Sequence, residues 1–330
     1  MRGLRAAVTL GLTGRYAVQA RQARSGLELW ADDDDVDLHL HDDTGSPAVA
    51  AAAYREFLAG DFDILLGPYG SGLVRRAAAT VCGSHQLLWN HGGAADDLAR
   101  RGLVSTLAPA STYLRPLLRL CLRRGVESVL LVRGSGPFAR QVIEGAERAA
   151  AAMGLRVDVA ELASWRVPAS LAGRAVLIAG TFDQDVEAVR GVRTAAVEVE
   201  LVGCVGAGIG EFRARLGPLA EGVLAPVQWA NGDRPAEVGP SAATFARRFE
   251  ARTGATPDYP AAQAAATGWL AAEATRQRLE ADEVQRWHTS TLLGAFALDS
   301  SWRQVGYTPI MVKWDHGRLD TMGDGARCKT

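Results

Sequence analysis

Cysteine is scarce in this chain of 330 residues: Cys82, Cys121, Cys204 and Cys328 are scattered, with no C-x-x-C pair. A chain of this length buries enough surface to fold without disulfide staples, so the cysteines are expected as free thiols, which suits a reducing compartment. Lysine is scarcer still. Only Lys313 and Lys329 occur, so 34 of the 36 basic residues are Arg and no P-loop lysine is present. Excess charge of either sign is also missing: 36 basic against 37 acidic residues leaves a net charge of −1. A nucleic-acid binder needs a basic face, and this balance argues against one. No stretch approaches the ~18 consecutive apolar residues that span a bilayer. The start, Met1 to Leu10, only faintly imitates a secretory signal, because its apolar part is short and Gly11 and Gly14 follow it. No cysteine lies near the N-terminus to carry a lipid. As given, the sequence is expected in the cytoplasm, or in the periplasm or outside the cell if a leader precedes Met1.

What is present is globular, with 48% hydrophobic and 22% charged residues. At roughly 100–200 residues per domain the length fits about two domains. Strand and helix signals alternate from the start. Ala6–Leu10 reads as a buried strand, and Tyr16, Ala20, Ala23, Leu27 and Trp30 then mark one face of a helix. The acid run Asp32–Asp35 at its end reads as a solvated turn, since it lacks the glycine and distal glutamate of a calcium loop. Val36–His41 alternates strictly, which places His39 and His41 on the polar face of a strand beside Asp42 and Asp43. Solvent-facing histidines are the plain reading, and a metal site is the alternative. Ser46-Pro47 opens a helix that stops at Gly60. Phe62–Leu66, Ser71–Gly83 and Leu87–Asn90 continue as strand, helix and strand. Such βαβ repeats predict a parallel sheet with helices on both faces.

Leu107-Ala108-Pro109-Ala110-Ser111 breaks the pattern, which then restarts. Helices are predicted at Tyr113–Arg124, Phe138–Met153 and Asp185–Arg193. Strands are predicted at Val129–Val132, Val157–Leu162, Ala175–Ile178 and Glu198–Val202. A second break at Pro226-Val227-Gln228-Trp229 precedes helices at Ser241–Thr253 and Pro260–Glu280. Phe296–Leu298 and Pro309–Trp314 return to strand. Arg-rich helix faces such as Arg21/Arg24 and Arg247/Arg248/Arg252 read as solvated.

In open α/β sheets, ligands sit beyond the carboxyl ends of the strands. Six loops there are rich in glycine and aromatics: Gly11–Tyr16, Gly67–Gly72, Trp89–Ala94, Gly134–Phe138, Gly180–Asp183 and Gly203–Gly208. Glycine lets backbone amides approach a ligand, and the helix start that follows favours an acceptor or anion. Enzyme patterns fit poorly. Gly203–Gly210 does not match G-x-G-x-x-G, and Tyr69 occupies the first glycine position of a G-x-S-x-G elbow around Ser71. The Ser71 hydroxyl reads instead as a cap of the next helix. A Ser71–His91–acid hydrolase stays open as a rival.

Several of these segments, in this order, resemble the type I periplasmic binding proteins, in particular the leucine/isoleucine/valine-binding and amide-sensor branch. They are Leu12-Thr13-Gly14-Arg15-Tyr16-Ala17 with the helix through Gly26-Leu27-Glu28, Asp42-Asp43-Thr44-Gly45-Ser46-Pro47, and Leu65-Leu66-Gly67-Pro68-Tyr69-Gly70-Ser71-Gly72. Ala225-Pro226-Val227 and Phe245–Thr253 leading to Pro257-Asp258-Tyr259 look like that family's second half. The resemblance covers residues 4–318. It implies an α/β fold of two Rossmann-like lobes with parallel sheets joined by a three-strand hinge. Residues 1–110 and 229–305 would form the N-terminal lobe, and residues 111–228 and 306–330 the C-terminal lobe. It also implies a non-catalytic solute-binding protein whose lobes close on a small polar metabolite, with no cofactor and no metal. The partner would be an ABC permease, or a regulatory partner if the protein is a cytoplasmic sensor. A degenerate scaffold kept for protein–protein contact is a further alternative.

Carried over by position, the first lobe would hold ligand through Tyr69, Gly70, Ser71, Gly92, Gly93 and Ala94, with Tyr16 at the cleft edge. The second would close with Phe138, Thr181 or Phe182, and the loop at Val205. Trp89, Phe182 and Trp229 would stack on an apolar part of the ligand, or Trp89 and Trp229 would simply pack in the core. The sequence departs from the family's amino-acid binders in two places: Ala94 stands where they carry a hydroxyl, and Cys204-Val205-Gly206 lacks their acid. Asp183 is the nearest substitute. A buried ammonium without a carboxylate is costly, so a neutral or carboxylate ligand is favoured over an α-amino acid.

Overall fold

The computed structural model describes residues 3–232 and 235–322; Cys328 lies outside them. In chain order the elements are β1 (Arg5–Leu10), α1 (Ala17–Asp34), β2 (Asp37–Asp42), α2 (Pro47–Ala59), β3 (Ile64–Leu66), α3 (Ser71–Val81), β4 (Leu88–Asn90) and β5 (Leu103–Ser105). Next come α4 (Arg115–Arg123), β6 (Ser128–Arg133), α5 (Pro137–Met153), β7 (Val157–Glu161), β8 (Leu171–Ala179), α6 (Phe182–Thr194), β9 (Val199–Cys204), α7 (Gly210–Leu216) and β10 (Leu224–Val227). The remainder is α8 (Ala242–Thr253), α9 (Tyr259–Arg276), α10 (Ala281–Arg286), β11 (Thr289–Thr291), β12 (Gly294–Phe296), β13 (Ile310–Asp315) and β14 (Arg318–Thr321).

The chain divides into two compact units, Met1–Pro109 with Asn231–Tyr307, and Ala110–Ala230 with Thr308–Thr330. It therefore passes from one to the other three times. Unit 1 carries a parallel sheet of order β2-β1-β3-β4-β5. Its central strands are continuous apolar runs because both faces are covered by helices. Ala6, Ala7, Val8 and Leu10 of β1 are wholly buried, while edge strand β2 alternates. Unit 2 carries a sheet of order β14-β13-β10-β9-β8-β6-β7, parallel from β10 to β7, with the antiparallel hairpin β13–β14 added at one edge.

Local chemistry sets the helix limits. Ser46 caps α2 by accepting the Val49 amide at 3.4 Å, Pro47 supplies the first turn, and Gly60 ends it, as the pattern predicts. In unit 1, α1 packs against α9, whose residues from Pro260 to Ala272 are all buried. A Cβ on Gly26 would collide with the backbone of Ala261, so the close crossing requires glycine there.

Some expectations are corrected. Asp32, Asp33 and Asp34 do not form a solvated turn; they belong to the last turn of α1, and only Asp35 leaves it, in a left-handed conformation. Carboxylates at a helix C-terminus oppose its dipole. Arg252, Arg248 and Arg276 answer them through ion pairs to Asp32, Asp33 and Asp34 respectively. The face carrying Arg248 and Arg252 is therefore not merely solvated. Pro226 does not break the chain but lies in β10, beyond the parallel ladder, which pairs β10 with β9 only at Leu224. His39, by contrast, is exposed as the alternation predicts, with its ring edge-on to Phe57 and tilted on Phe62, both at 5.6 Å, and no group of three metal-binding side chains converges among the described residues. Cys82, Cys121 and Cys204 are free thiols. No described helix is long and apolar enough to cross a membrane.

Candidate functional site

The carboxyl edge of the unit 1 sheet is built by three loops, following β1, β3 and β4. The Asp42–Pro47 motif braces the first of them. Asp42 Oδ1 accepts the amides of Leu12 at 3.0 Å and Thr44 at 2.8 Å. Asp43 is fully buried, and its carboxylate accepts the Gly45 amide and the Thr9 hydroxyl. Burial still raises its pKa despite these bonds. At the end of the braced loop, the Tyr16 ring lies 6.2 Å from that of Tyr69, and the Arg15 guanidinium sits over Tyr16 at 5.5 Å.

The loops after β3 and β4 interlock. The Gly70 amide donates to the Gly92 carbonyl at 2.8 Å, and Ser71 Oγ accepts the Ala95 amide at 3.2 Å. Ser71 thus does not cap α3; Gly70 holds the cap position, without a side-chain bond. A Cβ on Gly92 would strike Pro68 O and Tyr69 Cα, each at 2.5 Å, so only glycine allows this approach. The organiser of the second loop is Asn90, at the end of β4 and wholly buried. Its Oδ1 accepts the amides of Gly92 at 3.1 Å and Gly93 at 2.8 Å, while its Nδ2 donates to Gly93 O and Ser105 Oγ. Trp89 is buried in β4, and Ala94 is buried beside the loop. His91 is also fully buried, which pushes its pKa down to about 4 and keeps the ring neutral. Neither ring nitrogen completes a hydrogen bond among the described residues, although the Gly67 backbone lies beside the ring.

Unit 2 presents a second carboxyl edge, where Gln184 joins two loops. Thr181 Oγ1 caps α6 by accepting the Gln184 amide at 3.2 Å, and Gln184 Oε1 accepts the Thr181 amide at 3.0 Å. The same Oε1 accepts the Ser135 amide at 3.0 Å, tying the loop after β6 to the loop after β8. Asp185 joins a third loop: its Oδ2 accepts the Gly206 amide at 2.7 Å. Phe138 and Phe182 are half-buried, and Phe138 meets Tyr113 edge-on at 5.5 Å. Tyr113 in turn accepts a hydrogen bond from Gln228 Nε2. Val205 and Trp229 are buried. Asp183 points elsewhere. Its carboxylate is 78% exposed and pairs with Arg215 at 3.2 Å, beside a groove formed with Trp165 and Val167.

A family model described as "Periplasmic binding protein" matches residues 3–286 of this chain. The chain belongs to the type I periplasmic binding protein family. The binding-protein fold extends beyond that match. LivJ, a branched-chain amino acid transporter substrate-binding protein from Streptococcus pneumoniae solved with isoleucine, superposes with a TM-score of 0.82 at 14% identity, covering 97% of this chain and 99% of its own. A leucine-binding protein, LivK, from Thermotoga maritima gives 0.82 at 14% identity, covering 97% and 98%. An ABC-transporter solute-binding protein from R. palustris, solved with benzoate, gives 0.76 at 16% identity, covering 98% and 96%. At these identities the likeness carries the fold alone. No curated protein matches the sequence.

Within this binding protein, the structure groups Tyr16, Tyr69, Gly70, Ser71, Gly92, Gly93 and Ala94 on the unit 1 edge, with Trp89 in the strand behind them. In unit 2 it sets Thr181, Phe182 and Val205 in neighbouring loops and Phe138 against Tyr113. It turns Asp183 toward Arg215. The side chains that hold the loops, Asn90, Gln184 and Asp185, escape the motif reading. Gln184 is legible in retrospect as the fourth residue of a T-x-x-Q capping box. Asp185 is a lone acid on the stripe that buries Val186, Val189 and Val192.

Proposed function

We propose that this protein is a solute-binding protein that holds a small polar ligand with its carboxyl-edge loops, as a component serving an ABC permease. Membership of the family supports the class. The observation that carries the site is the interlocked pair of loops at Gly70–Ser71 and Gly92–Gly93, pinned by Asn90. Loops held this rigidly fix the start of α3, whose first amides have no acceptor within the helix, before a ligand arrives, which lowers the ordering cost of binding. Tyr16 and Tyr69 supply an aromatic wall beside them. The ligand's polar head is neutral or a carboxylate, because Asp183, the acid expected to meet an ammonium, is engaged by Arg215. Benzoate, found in one of the similar structures, is a carboxylate without an ammonium, whereas isoleucine, found in another, carries both.

The hydrolase reading loses support. His91 makes no hydrogen bond to Ser71, and the Ser71 hydroxyl is occupied by the Ala95 amide. A general base must reach its nucleophile, and this ring does not. Thermal shift against leucine, isoleucine, benzoate, short amides and ureas tests the proposal. A ligand at 100 times its Kd adds about 2.7 kcal/mol of stability. A melting-temperature rise with a carboxylate or amide, with the compound recovered unchanged, is expected. Consumption of the compound would return the enzyme reading, and a flat panel would remove the binding one.

A further inference from the structure

Asp185 is a side chain that neither the family likeness nor the motifs account for. It sits in the first turns of α6 with 1% of its surface exposed. Oδ2 accepts the Gly206 amide at 2.7 Å, and Oδ1 completes no hydrogen bond, although the Gly180 backbone lies beside it. A Cβ on Gly206 would come to 3.0 Å from Oδ2, and one on Gly180 to 3.1 Å from Oδ1. The carboxyl is thus clasped between the loops after β8 and β9, with no room to turn away. We propose that Asp185 is the positioning residue of the Val205–Gly208 turn, holding it in the shape that ligand binding requires, and that ionisation of its carboxyl releases that turn.

The reason is that, among the described residues, no cation acts on it. From β9 the Cys204 thiol comes within electrostatic reach; its own burial, with the Asp185 carboxylate adding to it, pushes the thiol well up. The Gly180–Thr181 loop and β10 bring no charged group. α7 brings Glu211, Arg213 and Arg215, of which Arg213 pairs with Glu221 and Arg215 with Asp183. On α6 itself Asp183 and Glu187 are exposed, and Glu187 pairs with Arg190. Burial therefore dominates and pushes the carboxyl up to about 8, against the pull of the Gly206 and Gly180 amides. At neutral pH the acid is uncharged and the clasp is intact. Above pH 8 the charge requires solvation that only an opened turn provides. Affinity for a ligand of fixed charge then falls by about tenfold per pH unit beyond that point.

This inference rests on the proposed function, because it assigns the turn to the ligand site. Asp185→Asn separates the two. Asparagine keeps an acceptor for the Gly206 amide but cannot ionise. Benzoate is the probe, since its charge is constant above pH 6. Wild type is expected to bind benzoate about tenfold more weakly at pH 9 than at pH 7, and the variant equally at both. Equal pH slopes in the two proteins would overturn the proposal. A second readout needs no ligand: alkylation of Cys204, resolved by mass spectrometry, is expected to rise faster between pH 7 and 9 than alkylation of buried Cys121 in wild type, and to lose that excess in the variant. If nothing in the panel binds, the proposed function fails while the Cys204 experiment still decides the clasp. If Asp185→Asn does not fold, the wild-type ratio of Cys204 to Cys121 labelling decides it, and a ratio independent of pH would contradict it.

Discussion

Asn90 and His91 are neighbours with opposite electrostatic histories. Asn90 has its side chain fully employed, so Asn90→Ala leaves two amides and a carbonyl of a buried loop unpaired. At about 1 kcal/mol or more for each lost bond, a loss of about 3 kcal/mol is expected, measured by urea denaturation, together with loss of any ligand-induced stabilisation. His91 is held neutral, with its pKa depressed from 6.5 to about 4. A depressed pKa means that the unfolded state binds the proton more readily. His91 therefore contributes no penalty above pH 6.5, and stability falls as the pH drops toward 4, by up to about 3 kcal/mol. His91→Phe is expected to flatten the pH dependence of the melting temperature in that window; an unchanged slope would show the ring to be solvated. Asp185 has the opposite sign. Its raised pKa favours the fold below pH 4, and that advantage is lost as pH rises to about 8. These residues were not legible as organisers. A sequence displays which residues are polar, whereas their role here comes from contacts with backbone amides of other loops.

At the scale of elements, most of the parallel framework was readable because helices and buried strands announce themselves by period and by capping. Ser46-Pro47 with Gly60, and the apolar runs of β1, β6 and β8, are of this kind. The three-residue strands β3 and β4 were readable from their place in the βαβ rhythm. β5 and β11, equally short, were not, and the strand expected at Phe296–Leu298 is displaced by two residues from β12; these owe their existence to neighbouring strands or to each other. The Asp32–Asp34 turn misled for a related reason: its three acids are answered by arginines more than 200 residues further on. Exposed pairs of that type contribute only about 0–1 kcal/mol each, so they orient α8 and α9 on α1 more than they stabilise them. Packing between α1 and α9 matters more. Gly26→Ala forces a methyl into the Ala261 backbone and is expected to destabilise the protein by about 2 kcal/mol or more, read as a lower denaturation midpoint at unchanged slope. A neutral result would mean that the two helices can separate at little cost.

For the whole molecule, the nearly neutral charge and the scattered free thiols agree with a protein whose work is recognition of something small, and the family assignment supplies the frame. The two carboxyl edges follow from the parallel sheets, because strands running the same way collect their following loops at one end. Unit 1 braces its loops with Asp42, Asn90 and Ser71, and unit 2 with Gln184 and Asp185. The ligand's identity was not legible, since one fold, at 14–16% identity to this chain, was solved with isoleucine in one protein and with benzoate in another. Amide hydrogen exchange with and without the best compound of the ligand panel tests the central claim most directly. The account predicts added protection at Gly70, at Gly92 to Ala94 and at Val205 to Gly208. Protection falling outside these loops while the compound binds would contradict it.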